Sequence, residues 1–299
     1  RVILNNCGCY DPESIEEYIA RGGYRAYVKA IRNYTYEEVC NIVEKSGLRG
    51  RSGGGYPTGL KWKQALNTVA SSRYLVCNAK ESDPGAFTDR TMLESDPHRL
   101  VEGIAIASYA IGANNAIVFF RNGSEHARII LQKAIEKARD FGIIGHNIFS
   151  SGYNLDIIIR KEPGAFVCGE ETALISTLEG KRGMPQLKPP YPVTAGLFGK
   201  PTVINNVETL MNVPVIMHNG PEWFRTLGTE KSPGTKVFAV AGKGRMTGVV
   251  EVEMGTTIKS ILEDIADGIR EGKKLKAIQI GGASGSFITP GNLDITVDY

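Results

Sequence analysis

The sequence has no long run of apolar residues and no large excess of charge of one sign. Its longest apolar stretch, residues 100–111, is interrupted by Glu102, and it is much shorter than the roughly 20 residues that span a bilayer. The formal net charge is +3, with acids and bases interspersed, so no basic stripe is available to neutralise a nucleic-acid backbone. We therefore expect neither a membrane span nor a nucleic-acid partner.

Cysteine and histidine are scarce and irregularly spaced. The five cysteines are an odd number without disulfide-like regularity, which favours a reducing, cytoplasmic compartment. Cys7 and Cys9 are too few for an iron–sulfur cluster, which generally takes four cysteine ligands. The four histidines show no ligand spacing, and none stands beside Cys168. We therefore predict no metal site, and we interpret Cys168 as a small buried apolar group.

The apolar periodicity alternates between strand and helix. Short helices are predicted over residues 12–20, capped by Asp11, and over residues 35–46. Strands at 73–77, 116–120 and 154–160 then alternate with helices at 98–111, 124–141 and 172–179. Five prolines predict an extended loop over residues 183–201, and a further helix is expected to begin near Asn206. This alternation is typical of an α/β fold with a parallel or mixed sheet covered by helices.

The pattern changes after Gly228. Residues 236–242 and 248–255 resemble strands, residues 256–269 resemble a helix, and residues 277–282 resemble another strand. This order predicts a separate small α+β module of the β-grasp type.

A glycine-rich loop, GLRGRSGGGYPTGLKW, occupies residues 47–62. Small residues let backbone N–H groups approach a phosphate, and Lys61 adds a mobile positive charge. The loop is not a Walker loop, because Leu60 and not glycine precedes Lys61, and it is not a dinucleotide fingerprint, because no strand precedes it. From the loop alone, a plain connector between helices is an equally good interpretation.

Three further polar segments follow: CNAKESDPGAFTDR at 77–90, EPGAFVCGEETALISTLEG at 162–180 and PTVINNVETL at 201–210. The first begins where a strand is predicted to end, which is where open α/β sheets bind ligands. Each segment also has a simpler interpretation. Residues 77–90 can be a turn around Pro84 and Gly85, residues 162–180 can place two glutamates at a helix start, and residues 201–210 can cap a helix with paired asparagines.

Taken together, the order and the amino-acid sequences of the four segments resemble those of the NADH-binding flavoprotein subunit of respiratory complex I. Its relatives include flavin subunits of NAD(P)-reducing and electron-bifurcating hydrogenases and of NAD-dependent formate dehydrogenases. The likeness covers essentially the whole chain, and DPGAFTDR followed by LESDPHRLVEGIAIASYAIGA is closer to the hydrogenase and formate dehydrogenase branch. The resemblance implies a Rossmann-like domain over residues 1–230 that binds FMN and NAD(H) or NADP(H), and a β-grasp domain over residues 231–299.

The resemblance also implies a reaction and partners. Hydride would pass from nicotinamide C4 to flavin N5, and electrons would leave one at a time. In the family, a C-terminal helical segment with CxxCxxC and a distant fourth cysteine binds a [4Fe–4S] cluster, and this segment is absent from the sequence. The expected partners are the iron–sulfur subunits of a multi-subunit redox complex.

The residues that match the family positions fall into two groups. The flavin positions are Gly50, Gly53, Gly55, Lys61, Asn78, Lys80, Glu81, Gly169, Glu170, Glu171, Asn205, Asn206 and Thr209. Among them, Glu81 and Glu171 are the predicted catalytic pair, which would orient the two rings. The nucleotide positions are Tyr56, Asp83, Phe166, Lys188 and Tyr191. Aromatic faces and backbone amides are what a planar, phosphorylated ligand needs.

The sequence departs from the family pattern at several of these positions. Ser52, Gly54 and Tyr56 differ from the usual GRGGAGFPTG, and Phe166 replaces a tyrosine. Lys80 stands where the family has an acidic residue, and it is the main feature that favours an alternative hypothesis. That alternative is a non-catalytic homologue or fragment that serves as a docking scaffold with a weakened flavin site. A third hypothesis, a phosphate-binding NTPase, is disfavoured by the missing Walker lysine.

Overall fold

The computed structural model of the chain describes residues 1–83, 85–161 and 164–299. Pro84, at the centre of the predicted turn, lies outside the described residues. Glu162 and Pro163, the first residues of the third polar segment, also lie outside them.

A parallel four-stranded sheet organises the larger part of the chain. Its strands are β1 (Tyr74–Ala79), β2 (Asn115–Phe120), β3 (Asp156–Lys161) and β4 (Thr202–Asn206). They run in the spatial order β3-β2-β1-β4, and every neighbouring pair is parallel. The predicted α/β fold class is therefore confirmed.

The two faces of this sheet bury two separate apolar clusters, because successive side chains of a strand point to opposite faces. Leu75, Val118 and Val203 belong to the larger cluster, which also holds the N-terminal helices. Val76 and Ile204 belong to a smaller cluster on the other face. Since both faces are covered, the central strands β1 and β2 are apolar throughout most of their length, as is typical of parallel sheets.

The helices around the sheet precede, connect and follow its strands. They are α1 (Ile15–Ala20), α2 (Arg25–Asn33), α3 (Tyr36–Lys45), α4 (Thr58–Asn67), α5 (Thr88–Ser95), α6 (Pro97–Ala110), α7 (Glu125–Asp140), α8 (Glu171–Leu178), α9 (Pro192–Ala195), α10 (Val207–Asn219) and α11 (Pro221–Arg225). All residues of α6 are buried, which explains why its sequence is mostly apolar; its buried Glu102 accepts a hydrogen bond from the Tyr18 hydroxyl at 2.6 Å. Nowhere in the described ranges is a helix long and apolar enough to cross a membrane.

The C-terminal segment forms two antiparallel hairpins and a short helical turn. Its elements are β5 (Thr235–Val240), β6 (Gly248–Glu253), α12 (Ile258–Ser260), a π-helical turn (Ile261–Ile265), β7 (Ile278–Ile280) and β8 (Ser286–Ile288). β5 pairs with β6, and β7 pairs with β8. Val252, Ile258 and Val297 share a small apolar cluster that holds these elements together.

Several local predictions differ from the structure. Ser14, and not Asp11, caps α1 by accepting a hydrogen bond from the Glu17 N–H group. The helix predicted over residues 256–269 is divided into α12 and the π-helical turn, and β8 was not predicted. The predicted loop over residues 183–201 contains α9 and a short 3-10 helix (Leu197–Gly199). Pro192 begins α9, a position where the missing N–H group of proline costs nothing.

Two buried or half-buried glutamates tie the C-terminal segment to the rest of the chain. The Glu251 carboxylate on β6 accepts hydrogen bonds from the N–H groups of Val2, Ile3 and Leu4, at 2.9–3.0 Å. Glu208 on α10 is 2% exposed, and its carboxylate accepts a hydrogen bond from the Val237 N–H group of β5 at 2.8 Å.

The close approach of α6 to α10 depends on Gly103. A Cβ atom at this position would lie 2.2 Å from the carbonyl oxygen of Leu210, which is backbone and cannot rotate away. We expect Gly103→Ala to lower the free energy of unfolding by about 2 kcal/mol, because overpacking of this kind outweighs the roughly 1 kcal/mol that alanine adds to helix propensity. Urea denaturation monitored by circular dichroism measures the difference.

The matched control is Gly248→Ala, since a Cβ atom at Gly248 would meet nothing within 4 Å. Its free energy of unfolding should stay within about 0.5 kcal/mol of the parent value. Equal effects of the two substitutions would contradict the packing argument.

Candidate functional site

The predicted site residues gather at the carboxyl edge of the sheet, around β1 and β4. From β1 the chain proceeds to β2 on one side, and it later returns to β4 on the other side. This makes the gap between β1 and β4 the topological switch point, where open parallel sheets bind ligands. The register pairs Asn78 with Asn206 and Cys77 with Asn205. The three asparagines are therefore neighbours at the point where the two strands end.

The glycine-rich loop before α4 presents a row of backbone N–H groups. Gly53 and Gly55 have φ angles of 67° and 63°, a left-handed conformation that favours glycine. The amide groups of residues 52–55 donate no hydrogen bond to any part of the chain that the structure describes. A Cβ atom at Gly53 or Gly54 would meet nothing within 4 Å. Consecutive free amides in such a turn form a concavity for an anion, so the loop can hold a phosphate.

The two ends of this loop are fixed by hydrogen bonds. The Arg51 N–H group donates to Thr209 Oγ1 of α10 at 2.9 Å, and this bond is buried. The Gly50 N–H group donates to the carbonyl oxygen of Tyr56 at 2.9 Å. Hydrogen bonds within the protein therefore hold the turn between Arg51 and Tyr56 in place.

Residues from the C-terminal part of the chain cover the outer side of the loop. The Arg51 guanidinium donates to the carbonyl oxygen of Pro233 at 2.6 Å. The Tyr299 hydroxyl donates to the carbonyl oxygen of Gly50, and its ring lies so close to Gly55 that a Cβ atom there would clash with it. The loop is therefore enclosed between α10 and the C-terminal segment.

The first turns of α4 bring a cation and an indole to β4. Lys61 Nζ donates to the carbonyl oxygen of Ile204 at 3.0 Å, and burial lowers the pKa of the Lys61 ammonium. Trp62 Nε1 donates to Asn205 Oδ1 at 2.9 Å, and both side chains are buried. Asn205 Oδ1 is therefore used within the protein, whereas its Nδ2 has no hydrogen-bond partner among the described residues.

The end of β1 is tied to the third polar segment, which contains the short 3-10 helix Phe166–Gly169. Asn78 Nδ2 donates to the carbonyl oxygen of Gly169 at 3.0 Å. Lys80 Nζ donates to the carbonyl oxygen of Phe166 at 3.1 Å. The second and third segments, which are far apart in sequence, thus form one surface.

Glu81 serves as the cap of α5. Its carboxylate accepts hydrogen bonds from Thr88 Oγ1 at 2.9 Å, from the Asp89 N–H group at 3.0 Å and from the Arg90 N–H group at 3.2 Å. A negative charge at a helix N-terminus is favourable. These bonds fix the position of Glu81 next to the carboxyl edge of β1.

A second carboxyl group, Asp89, is buried behind Glu81. Asn206 Nδ2 donates to Asp89 Oδ2 at 3.0 Å. Burial, with the nearby charges of Glu81 and Glu208, raises the pKa of Asp89 well above its usual value. The hydrogen bond to Asp89, a residue that was not predicted to belong to the site, thereby orients the side chain of Asn206.

The two glutamates of the third segment have separate partners. Glu170 caps α8 by accepting hydrogen bonds from the N–H groups of Thr172 and Ala173 at 2.8 and 3.0 Å. Partial burial alone would raise the pKa of Glu170, but these hydrogen bonds hold it below its usual value. Lys188 forms an ion pair with Glu171 and a longer one with Glu170, at 3.4 Å. The predicted Lys188 and Glu171 positions are therefore in direct contact.

Three predicted aromatic residues keep much of their surface open to solvent. Tyr56, Phe166 and Tyr191 are 47%, 60% and 57% exposed. The Tyr56 hydroxyl accepts a hydrogen bond from Gln64 Nε2 at 3.0 Å. Exposed rings of this size beside polar backbone suit a planar ligand that stacks on them.

Asp83 lies against a loop of the C-terminal segment. A Cβ atom at Gly282 would lie 2.6 Å from Asp83 Oδ1. This oxygen is buried, and no partner for it is found among residues 1–83, 85–161 and 164–299. A buried acceptor without a partner is costly, and it makes Asp83 Oδ1 a candidate acceptor for a donor group that enters beside the Gly282 loop.

The structure brings most of the predicted residues to one edge but adds others. Arg51, Trp62 and Asp89 were not predicted as site residues, although all three stand inside the glycine-rich loop and the polar segment at residues 77–90. Tyr299 and Gly282 gave no signal, because they reach the site only through folding. In the part of the chain that is described, no group of three or more His, Cys, Asp and Glu side chains could hold a metal ion.

The contact between Thr209 and the loop can be tested directly. Thr209→Val keeps the shape of the side chain but leaves the buried Arg51 N–H group without an acceptor. We expect a loss of about 1–3 kcal/mol in the free energy of unfolding, measured by urea denaturation, and faster hydrogen exchange at the Arg51 amide.

Thr58→Val is the control, because Thr58 Oγ1 is buried and has no hydrogen-bond partner within the described residues. Removal of that hydroxyl should leave stability unchanged or raise it. If both substitutions cost the same, the hydrogen bond from Arg51 does not fix the loop.

Comparison with known protein families and with curated proteins supports one assignment. The family described as the Nuo51 FMN-binding domain matches residues 43–215. The chain is 50% identical over 299 residues to the NADP-reducing hydrogenase subunit HndC of Solidesulfovibrio fructosivorans, covering all of this chain and 61% of that protein. It is 44% identical over 298 residues to a subunit of the NADH-quinone oxidoreductase of Rhizobium meliloti, covering all of this chain and 71% of that protein.

A solved structure agrees with these relatives. The NAD⁺-reducing [NiFe]-hydrogenase in its H2-reduced state superposes with a TM-score of 0.83 at 34% sequence identity, covering 99% of this chain and 48% of the hydrogenase chain. This chain therefore spans only part of the length of the proteins that it resembles. The predicted resemblance is confirmed: the chain belongs to the family of the Nuo51 FMN-binding domain.

Proposed function

We propose that the chain is the flavin-carrying part of an FMN-dependent NAD(P)H:acceptor oxidoreductase. The observation that carries this proposal is the row of backbone amides at residues 52–55 that donate no hydrogen bond within the described residues, in a loop with open space beside Gly53 and Gly54 at the switch point of a parallel sheet. Free amides, glycines without side chains and the half-buried Lys61 fit the phosphate of FMN. The family assignment and the names of the relatives support the same function.

In this proposal the flavin positions divide between phosphate and ring. The amides near Gly53 and Gly55 would hold the phosphate, with the charge of Lys61 behind them. The amide nitrogen of Asn205 would face the ribityl chain or the ring, while Asn78 and Asn206, whose amide nitrogens donate to Gly169 and Asp89, would line the same edge. The remaining proposed contacts come from Gly50, Asn78, Glu81, Gly169, Glu170, Glu171, Asn205, Asn206 and Thr209. The Lys80 ammonium donates instead to the Phe166 carbonyl oxygen, so Lys80 is not among the flavin contacts that we propose.

The nucleotide would lie against the exposed aromatic residues. Tyr56, Phe166 and Tyr191 offer ring faces, and aromatic stacking orients planar ligands. Asp83 would accept a hydrogen bond through the oxygen that has no partner among the described residues. Lys188 would contact the nucleotide from its ion pair with Glu171. The family supports NAD(H) or NADP(H) as the nucleotide.

Bound FMN would supply the redox chemistry, since it accepts a hydride and releases electrons singly. The protein would contribute position and charge. Glu81 is fixed by three hydrogen bonds from α5, so its carboxylate would act from a constant place beside the rings. Glu171 would act from the opposite segment, held by Lys188.

The setting of the chain is part of the proposal. Relatives of the chain are subunits of multi-subunit enzymes, and we propose that iron–sulfur subunits receive its electrons. All five cysteines are free thiols, which supports a reducing, cytoplasmic compartment. We further propose that residues 1–230 form the flavin domain and that residues 231–299 form a separate β-grasp domain.

One observation favours a second candidate function. Lys80 is a cation where the family has an acidic residue, and this favours a docking scaffold whose flavin site is weakened. The two candidates differ in one measurable property, which is whether the protein binds FMN.

The proposed function predicts a yellow protein. The purified chain should bind FMN, and anaerobic NADH or NADPH should bleach the bound flavin near 450 nm. Gly54→Val would place a branched side chain in the open space of the loop, so we expect its FMN affinity to fall by at least about tenfold. Fluorescence titration with FMN measures the affinity.

Gly248→Val is the matched control, because a Cβ atom at Gly248 also meets nothing within 4 Å but lies on β6. Its FMN affinity should equal that of the parent. A colourless parent protein that takes up no added FMN would refute the flavoenzyme and leave the scaffold as the function.

A further inference from the structure

The side chain of Lys80 connects the end of β1 to the segment that carries Phe166. Lys80 is 8% exposed, and its Nζ donates to Ser82 Oγ at 2.9 Å and to the Phe166 carbonyl oxygen at 3.1 Å. The same ammonium lies 5.6 Å from the centroid of the Phe166 ring, within the range of a cation–π contact. One side chain therefore holds both the backbone and the ring of Phe166.

The Phe166 turn is anchored in its second half, where Cys168 is buried in the smaller apolar cluster of the sheet. It is a 3-10 helix of four residues, and the backbone–backbone hydrogen bonds found for it within the described residues are short-range, such as Cys168 N–H to Ala165 O at 3.2 Å. Asn78 holds the far end of this turn through Gly169. β1, by contrast, is paired on both sides within the sheet. A contact from β1 can therefore transmit the rigidity of the sheet to the turn.

We propose that Lys80 is a positioning residue that clamps the Phe166 turn against the end of β1 and presents the Phe166 ring to the nicotinamide nucleotide. This proposal rests on the proposed function for its nucleotide. The ring is 60% exposed although Lys80 lies over it, so ring surface stays open for stacking. In this proposal, the lysine at position 80 supports nucleotide binding, and its difference from the acidic residue of the family does not mean that the flavin site is lost.

The clamp is tested first without any cofactor, by hydrogen exchange of the purified full chain. Lys80→Met keeps the length and the apolar stem but removes the ammonium. We expect the amides of residues 164–170 to exchange about tenfold faster, since a hydrogen bond from a charged group is lost. Lys80→Arg should restore slow exchange, because guanidinium donates to carbonyl groups and stacks on rings.

Lys133→Met is the matched control, because Lys133 lies on α7 and forms a surface ion pair with Glu13, away from this turn. Its exchange at residues 164–170 should equal that of the parent. Unchanged exchange in Lys80→Met would overturn the clamp whether or not the chain binds flavin. Failure of the parent to bind FMN would overturn the proposed function and the nucleotide part of this inference, while the exchange result would still decide the clamp.

The second test separates nucleotide binding from flavin binding. With FMN bound and ferricyanide as acceptor, Lys80→Met should raise KM for NADH by about fivefold or more while kcat changes less than twofold, because uniform binding is lost. FMN affinity should stay within twofold of the parent. In a Phe166→Ala background, Lys80→Met should have little further effect on KM, since interacting residues are not additive.

Two results would overturn the role in nucleotide positioning. If the effects of Lys80→Met and Phe166→Ala on KM multiply, Lys80 does not act through Phe166. If Lys80→Met lowers FMN affinity about tenfold with KM unchanged, Lys80 holds the flavin and not the aromatic ring.

Discussion

The parallel pairing of β1 with β4 is the constraint on which the rest of the structure depends. It places Asn78 opposite Asn206, and it opens a gap at the carboxyl edge because the chain has crossed to the other side of β1. α10 begins directly after β4, so its first turn faces this gap. Thr209 of that turn then fixes the glycine-rich loop through the Arg51 N–H group. Without this pairing the loop and the two asparagines of β4 would have no common surface.

Elements with a strong apolar pattern could be predicted from the sequence, whereas their contacts could not. α6 is buried all round and β2 is buried over most of its length, so both gave long apolar signals. β4 was missed because its last residues are asparagines, which also favour helix caps. The chemical character of the site was predictable from glycines and polar residues. The hydrogen bond between Asn78 and Gly169, which are 91 residues apart, forms only on folding and has no counterpart in the local sequence pattern.

The alternative interpretations of the acidic residues turn out to be compatible with a binding role. Glu170 does cap α8, as the helix-dipole interpretation of residues 170 and 171 predicts. Glu81, for which only a turn was the alternative, also accepts hydrogen bonds from the first turn of α5. A carboxylate that caps a helix is held in one place, because backbone N–H groups have fixed directions. A binding site needs acceptors at fixed positions. Local helix capping therefore supplies the rigidity that a site at the sheet edge requires, and the two roles do not compete.

Two consecutive residues of α10 connect the C-terminal segment to the glycine-rich loop. Glu208 accepts a hydrogen bond from Val237 of β5 and pairs with Lys236, while Thr209 accepts one from the Arg51 N–H group. Glu208 and Thr209 are both almost fully buried, so neither contact can be replaced by water at low cost. A displacement of the first turn of α10 would therefore strain both contacts together. The C-terminal segment thus contributes to the geometry of the loop through the helix as well as through the direct contact of Tyr299.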